Sequence, residues 1–166
     1  FGVSSRPAIA GDYDGIFPGM LGEPLAEVFE KQRIDVVVHC AYDKQDIDNR
    51  RNAEGTLLWA EQAEENGVGL QIFMSSLSAS EEAAAPYGQK KYETEKWFLD
   101  HKHIVLRPGL VIGNGGLFQT IVSMVRKSPV IPLLDGGKTI AYISDVEIIS
   151  KIIHDMILDI DNIDRG

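Results

Sequence analysis

The sequence predicts an α/β fold in which helices cover both faces of an open, doubly wound parallel sheet. Short apolar runs alternate with amphipathic stretches along the 166 residues, a pattern typical of βαβ units. The clearest run, residues 34–41 (IDVVVHCA), is rich in β-branched side chains, as expected for a strand covered on both faces. Polar motifs follow these runs, at the carboxyl ends of strands where ligands of such sheets bind.

The predicted elements follow one another without a dividing linker, so we expect a single domain over residues 1–166. Strands are predicted at 1–4, 34–41, 69–74, 103–107 and 139–143, with a further short strand at 8–10. Helices are predicted at 24–33, 46–66, 87–101, 117–126 and 145–158. Asn66-Gly67 ends the second helix, and Ser144 is the expected N-cap of the last.

Composition excludes several classes of function. The 25 acidic residues against 16 basic ones give a net charge of -9, which repels the phosphate backbone of nucleic acids. No window of 20 apolar residues predicts a membrane span, and no signal peptide is visible. The lone Cys40 suits a reducing cytoplasm as a packed thiol, and His101 and His103 have no partners at metal-ligand spacing. We therefore expect a cytoplasmic protein without metal, membrane or nucleic-acid partner.

Tyr87 and Lys91 lie four residues apart at the start of a predicted helix, which places them on one face. The pKa of a free tyrosine is about 10, and a nearby ammonium lowers it. The pair therefore suits proton transfer by a phenol, although a solvated helix face that includes Lys90 fits equally. The preceding strand ends at 74–78 (MSSLS), where a serine either binds a substrate oxygen or closes a turn.

Several motifs, in this order along the chain, resemble those of the extended and atypical short-chain dehydrogenase/reductases, the NAD(P)-dependent epimerase/dehydratase group. They are 11–14 (GDYD), 35–41 (DVVVHCA), 52–56 (NAEGT), 74–76 (MSS), 86–91 (PYGQKK), 106–113 (LRPGLVIG) and 142–146 (YISDV). The resemblance implies a Rossmann-type, three-layer αβα domain that binds a nicotinamide cofactor. Lys90 replaces the family's usual serine, and Leu110 replaces an asparagine that touches the substrate in many sugar-nucleotide enzymes.

The resemblance also implies the site residues. Tyr87 would transfer the proton, Ser76 would orient the substrate oxygen, and Lys91 would bias Tyr87 and hold the cofactor ribose, with Asn52 as the helix asparagine. The cofactor contacts would come from Ser5, Arg6, Asp12, Tyr13, Cys40, Ala41, Tyr42, Lys44, Ser75, Pro108, Gly109 and Val111. No acid lies between Ser4 and Asp12, and Arg6 suits a 2′-phosphate. We therefore expect NADP, with NAD as the alternative; an exposed loop arginine is the competing interpretation of Arg6.

Two parts of the family pattern are expected outside residues 1–166, so the fold is expected to be incomplete at both ends. The glycine-rich phosphate loop is expected about 25 residues before Phe1, and the substrate-closing C-terminal part is expected to be reduced or absent. The implied function is hydride transfer on a carbinol or carbonyl of a small molecule, with a sugar nucleotide among the candidates. The alternative is a non-catalytic NAD(P)-binding or scaffold protein.

The resemblance further implies a homodimer, paired through the predicted helices 46–66 and 87–101. Three large aromatic residues on these helices are either interface anchors or core residues. They are Trp59, Trp97 and Phe98.

Overall fold

The computed structural model describes residues 1–5, 13–130, 134–138 and 140–162. The chain divides into a first compact unit, Phe1–Leu106, and a second that begins at Arg107. The predicted α/β class is confirmed, since parallel strands alternate with helices in both units. Each unit is described by itself.

The first unit contains five strands and three helices among its described residues. They are β1 (Gly2–Ser4), β2 (Ile16–Pro18), α1 (Ala26–Lys31), β3 (Val36–His39), α2 (Arg50–Glu65), β4 (Leu70–Met74), α3 (Pro86–Asp100) and β5 (Ile104–Leu106). β1 pairs in parallel with β2, and β3, β4 and β5 form a parallel sheet in that order. The carboxyl ends of β3, β4 and β5 therefore lie at one edge of the sheet.

The second unit has a two-stranded parallel sheet and two helices among its described residues. They are β6 (Leu110–Ile112), α4 (Gly116–Lys127), β7 (Ile143–Asp145) and α5 (Val146–Leu158), with 3-10 turns at Leu134–Gly137 and Ile160–Asn162. Apolar side chains of α4 such as Leu117 and Met124 are exposed. No helix in the described ranges is long and apolar enough to cross a membrane.

The structure corrects the sequence analysis at several element boundaries. β2 and β6 are absent from the predicted strands because each is three residues long and has a glycine immediately before and after it, a pattern that indicates a loop. The final strand is Ile143–Asp145 rather than 139–143, and the predicted strand at 8–10 lies outside the described residues. The expected N-cap Ser144 is wrong, because the Asp145 carboxylate accepts the N–H groups of Glu147 and Ile148.

Helix α2 carries the core of the first unit. Trp59 packs with Leu25 and Val28, and its indole N–H donates to the Glu23 carbonyl at 2.6 Å. The next residue of α2, Ala60, packs against Phe73 and Phe98, whose rings stack at a centroid distance of 4.8 Å. Trp59 and Phe98 are therefore core residues in this structure, while the predicted homodimer stays a prediction.

A polar network runs through the buried part of this core. Gln71 accepts a hydrogen bond from His39 Nε2 at 2.7 Å, and its amide nitrogen donates to the Ala60 carbonyl at 2.9 Å and lies 3.1 Å from His103 Nε2. All three of these side chains are buried. Burial lowers the pKa of His39 to about 4, and the nearby His103 and Lys91 act in the same direction, whereas the hydrogen bond that His39 donates to Gln71 opposes this effect. His39 is therefore neutral in the folded protein near neutral pH.

This network predicts an acid-sensitive stability. The pKa of His39 falls from an ordinary 6.5 to about 4 on folding, so folding favours the neutral ring. The corresponding stability is present above pH 6.5 and is lost as the pH falls towards 4. Between pH 7 and pH 4.5 the wild type should lose about 2 to 3 kcal/mol more unfolding free energy than His39→Gln. Urea unfolding at both pH values measures this, and equal losses in the two proteins would contradict it.

Candidate active site

The candidate site lies where β3 and β4 end and α3 begins. β4 ends at Met74, and Pro86 occupies the first turn of α3, where proline is favoured because its missing N–H is not needed. Tyr87 and Lys91 then line a single surface depression together with Tyr42, Asn52 and Phe73. The structure therefore brings together three of the four predicted catalytic residues and two predicted cofactor contacts, Ala41 and Tyr42.

Lys91 is anchored inside this depression. Its Nζ donates a hydrogen bond to the Met74 carbonyl at 2.7 Å and lies 4.4 Å from the centre of the Phe73 ring. Burial lowers the pKa of Lys91 to about 8, although the charges of Cys40 and Glu95 oppose this effect. Lys91 is thus a partly desolvated ammonium at neutral pH, held at the carboxyl end of β4.

The two tyrosines of the depression touch each other. The rings of Tyr42 and Tyr87 meet edge to face, with centroids 5.6 Å apart and planes inclined by 87°. The Tyr42 hydroxyl donates to Asn49 Oδ1 at 2.9 Å. Desolvation raises the pKa of Tyr42, and Tyr87, Asp46 and Asp43 add to that rise. Tyr42 therefore remains a hydrogen-bond donor to Asn49.

Asn52 holds the loop that follows β3. Its Oδ1 accepts the Asp43 N–H at 2.7 Å, and its Nδ2 donates to the Asp43 carbonyl at 2.9 Å. Arg51 forms an ion pair with the Asp43 carboxylate, and Asp46 Oδ2 accepts the Asn52 N–H. The side-chain amide of Asn52 thus binds loop backbone, and a catalytic role for Asn52 stays a prediction.

The two serines after β4 differ in their surroundings. Ser76 Oγ lies 2.9 Å from Ser78 Oγ and accepts the Ser78 N–H, which is the turn-closing arrangement. Ser75 is buried, and its backbone N–H donates to the Leu106 carbonyl. Its hydroxyl has no hydrogen-bond partner among the described residues. A polar ligand group at Ser75 would relieve the cost of that unpaired hydroxyl.

The remaining predicted cofactor contacts are dispersed. Lys44, Ser5 and Tyr13 are exposed, whereas Arg6 and Asp12 lie outside the described residues. Pro108, Gly109 and Val111 belong to the second unit, where the Gly109 N–H donates to Ser144 Oγ at 3.0 Å.

The expectation that Cys40 is a packed thiol is wrong, because β3 ends at His39 and Cys40 is exposed in the following loop. Surrounding protein atoms still desolvate the thiol enough to raise its pKa, against the opposing charge of Lys91.

Asn49 lines the depression, and the sequence pattern does not mark it as a site residue. Asn49 is buried and has a left-handed backbone, with φ at 57°. An asparagine tolerates this conformation more easily than most residues, and that preference is the only signal that the sequence offered. Nothing in the spacing of Tyr42 and Asn49 indicated that their side chains meet.

Comparisons with solved structures support the fold. The chain is similar to UDP-glucose 4-epimerase from Thermotoga maritima, with a TM-score of 0.62 and 22% identity over 75% of this chain and 52% of that one. It is also similar to the PhqB reductase domain from Penicillium fellutanum, with a TM-score of 0.63 and 21% identity over 83% of this chain and 45% of that one. The chain spans about half the length of these two proteins. No protein-family model and no curated protein matches it.

Gly88 sets the distance between α3 and the serine loop. A Cβ at this position would lie 2.3 Å from the Ser78 carbonyl oxygen, and neither backbone can yield cheaply. We expect Gly88→Ala to lower the unfolding free energy by about 2 to 3 kcal/mol, despite alanine's higher helix propensity. Gly69→Ala is the control, since its nearest neighbour is 3.8 Å away. A Gly88→Ala variant at least as stable as Gly69→Ala in urea would show that the approach is not tight.

The charged side chain of Lys91 should lower the unfolding free energy of the protein at neutral pH. Its pKa falls from 10.5 to about 8 on folding, so the charged form opposes folding at pH 7 and this cost disappears as the pH rises from 8 to 10.5. After allowing for the lost bond to Met74, Lys91→Met should raise the unfolding free energy by about 1 to 2 kcal/mol. The exposed Lys96→Met should change it by less than about 0.5 kcal/mol. Urea unfolding at pH 7 measures both, and a destabilised Lys91→Met would be the contrary result.

Proposed function

We propose that this chain is the cofactor-binding body of an NAD(P)-dependent enzyme of the short-chain dehydrogenase/reductase type, in the epimerase/dehydratase group. The observation that carries the proposal is that Tyr87 and a desolvated Lys91 ammonium line one depression at the carboxyl ends of parallel strands. The two structural neighbours, an epimerase and a reductase domain, support it by analogy of fold.

In the proposed reaction Tyr87 transfers the proton. The Tyr87 hydroxyl would donate a proton to a substrate carbonyl oxygen, or accept one from a carbinol, as a general acid or base. The Lys91 ammonium would stabilise the negative charge that develops on the phenol oxygen. Ser76 would leave its turn partner Ser78 to bind the substrate oxygen. Leu110 stands where a sugar-nucleotide enzyme commonly has asparagine, so the substrate class includes simpler carbonyl compounds.

The residues of the site fit a nicotinamide cofactor. Lys91 Nζ has three N–H donors and uses one of them on Met74 among the described residues, which leaves donors for ribose hydroxyls. The cofactor would supply or receive the hydride. The preference for NADP rests on Arg6.

The experiment compares two tyrosines of α3 in the full-length protein. Tyr87→Phe removes the proposed acid, whereas Tyr92→Phe changes a tyrosine that contacts Lys96 and lies outside the depression. NADPH and NADH binding is followed by fluorescence, and turnover is measured with a panel of sugar nucleotides, ketones and alcohols. We expect NADPH to bind all three proteins and Tyr87→Phe to lose roughly 10²- to 10⁴-fold in kcat, with Tyr92→Phe unchanged.

The other outcomes are equally informative. Full activity in Tyr87→Phe would remove Tyr87 from the mechanism. NADPH binding without turnover of any panel member by the wild type would favour the non-catalytic alternative. Absence of binding to both cofactors would overturn the proposal itself.

A further inference from the structure

We infer that Tyr42 is a positioning residue that fixes the Tyr87 phenol, and that Asn49 is the anchor that fixes Tyr42. The effect of Tyr42 on turnover rests on the proposed function, while the contact between the two rings does not. Tyr42 therefore has a role beyond the cofactor contact that its place in the chain suggested.

The rings of Tyr42 and Tyr87 are in direct contact. The Tyr42 and Tyr87 centroids are 5.6 Å apart and the ring planes are nearly perpendicular, at 87°. This edge-to-face arrangement is favoured because the positive edge of one ring meets the negative face of the other. Tyr87 stands in the first turn of α3, where no ring other than that of Tyr42 contacts it among the described residues. The ring of Tyr42 thus constrains the orientation of the Tyr87 phenol.

Asn49 anchors the hydroxyl of Tyr42. Its hydroxyl donates to Asn49 Oδ1 at 2.9 Å, and Asn49 Nδ2 donates to the Ile47 carbonyl at 3.3 Å. Asn49 is 6% exposed and its φ of 57° lies in the left-handed region. Asparagine adopts this conformation more readily than most residues, and the burial and hydrogen bonds of Asn49 hold it there. The acceptor oxygen of Asn49 is thus held in a fixed place.

The loop beside Tyr42 is bound to α2. Asp43, the next residue, is bound at both its N–H and its carbonyl by the Asn52 amide, and its carboxylate pairs with Arg51. Both partners belong to α2. The backbone of Tyr42 is thereby tied to α2, while its ring reaches the first turn of α3. Tyr42 therefore links α2, through the loop backbone, to the Tyr87 phenol of α3, through the ring contact.

The first measurement needs no substrate. The full-length protein is labelled with 3-fluorotyrosine, and the ¹⁹F resonance of Tyr87 is assigned from its loss in Tyr87→Phe. Tyr42→Leu removes the ring, Tyr42→Phe removes only the hydroxyl, and Asn49→Ala removes the acceptor. We expect the Tyr87 resonance to shift and change its linewidth most in Tyr42→Leu, and less in the other two variants. The resonance of Tyr92 is the internal control and should stay in place.

The second measurement separates positioning from cofactor binding. In an active protein, Tyr42→Leu should lower kcat by roughly ten- to a hundredfold, with KM and the affinity for NADPH changed less than about threefold. Tyr42→Phe should fall between this variant and the wild type. A folded Tyr42→Leu protein, judged by circular dichroism, with an unmoved Tyr87 resonance would overturn the inference. So would a loss confined to NADPH affinity, which marks a cofactor contact.

The inference and the proposed function fail in different ways. If the wild type turns over no substrate but the Tyr87 resonance moves in Tyr42→Leu, the positioning contact stands and the proposed function falls. If the wild type is active and Tyr87→Phe is inactive, while Tyr42→Leu leaves both kcat and the Tyr87 resonance unchanged, the proposed function stands and the inference falls.

Discussion

The hydrogen bond from Lys91 Nζ to the Met74 carbonyl is the interaction around which the candidate site is arranged. It joins α3 to the end of β4, and so places Tyr87 beside the edge of the sheet where β3 and β4 both end. Phe73, which lies under the ammonium, also belongs to the core beneath α2 and α3. The position of the site is therefore set by the packing of the first unit.

Several polar groups at or near the site are buried, and their burial opposes folding. Burial lowers the pKa of Lys91 and of His39, and the Ser75 hydroxyl is buried without a partner in the described part of the chain. Each of these opposes folding to some degree. They lie at or near the carboxyl ends of β3 and β4, and Lys91 lines the depression there. A fold selected for stability alone would fill such positions with apolar side chains.

Helices of several turns could be predicted from the sequence, whereas contacts between separate elements could not. The helices around Trp59 and Phe98 were predicted because amphipathic periodicity over four turns is a strong signal. The strand Ile16–Pro18 was not, since three residues between glycines carry no period. The Tyr87 and Lys91 pair follows from helical spacing, but the contact of Tyr42 with Asn49 depends on a left-handed residue in a loop. Cys40 was misplaced because an apolar run does not show where its strand ends.

The most direct test of this account is the titration of Lys91 itself. The ¹³Cε and Hε signals of Lys91, assigned from their loss in Lys91→Met, can be followed against pH in the full-length protein with and without NADPH. The account predicts a midpoint near 8 in the free protein and a displaced signal once NADPH is added. A midpoint near the ordinary 10.5, unchanged by NADPH, would contradict a buried ammonium that holds the cofactor.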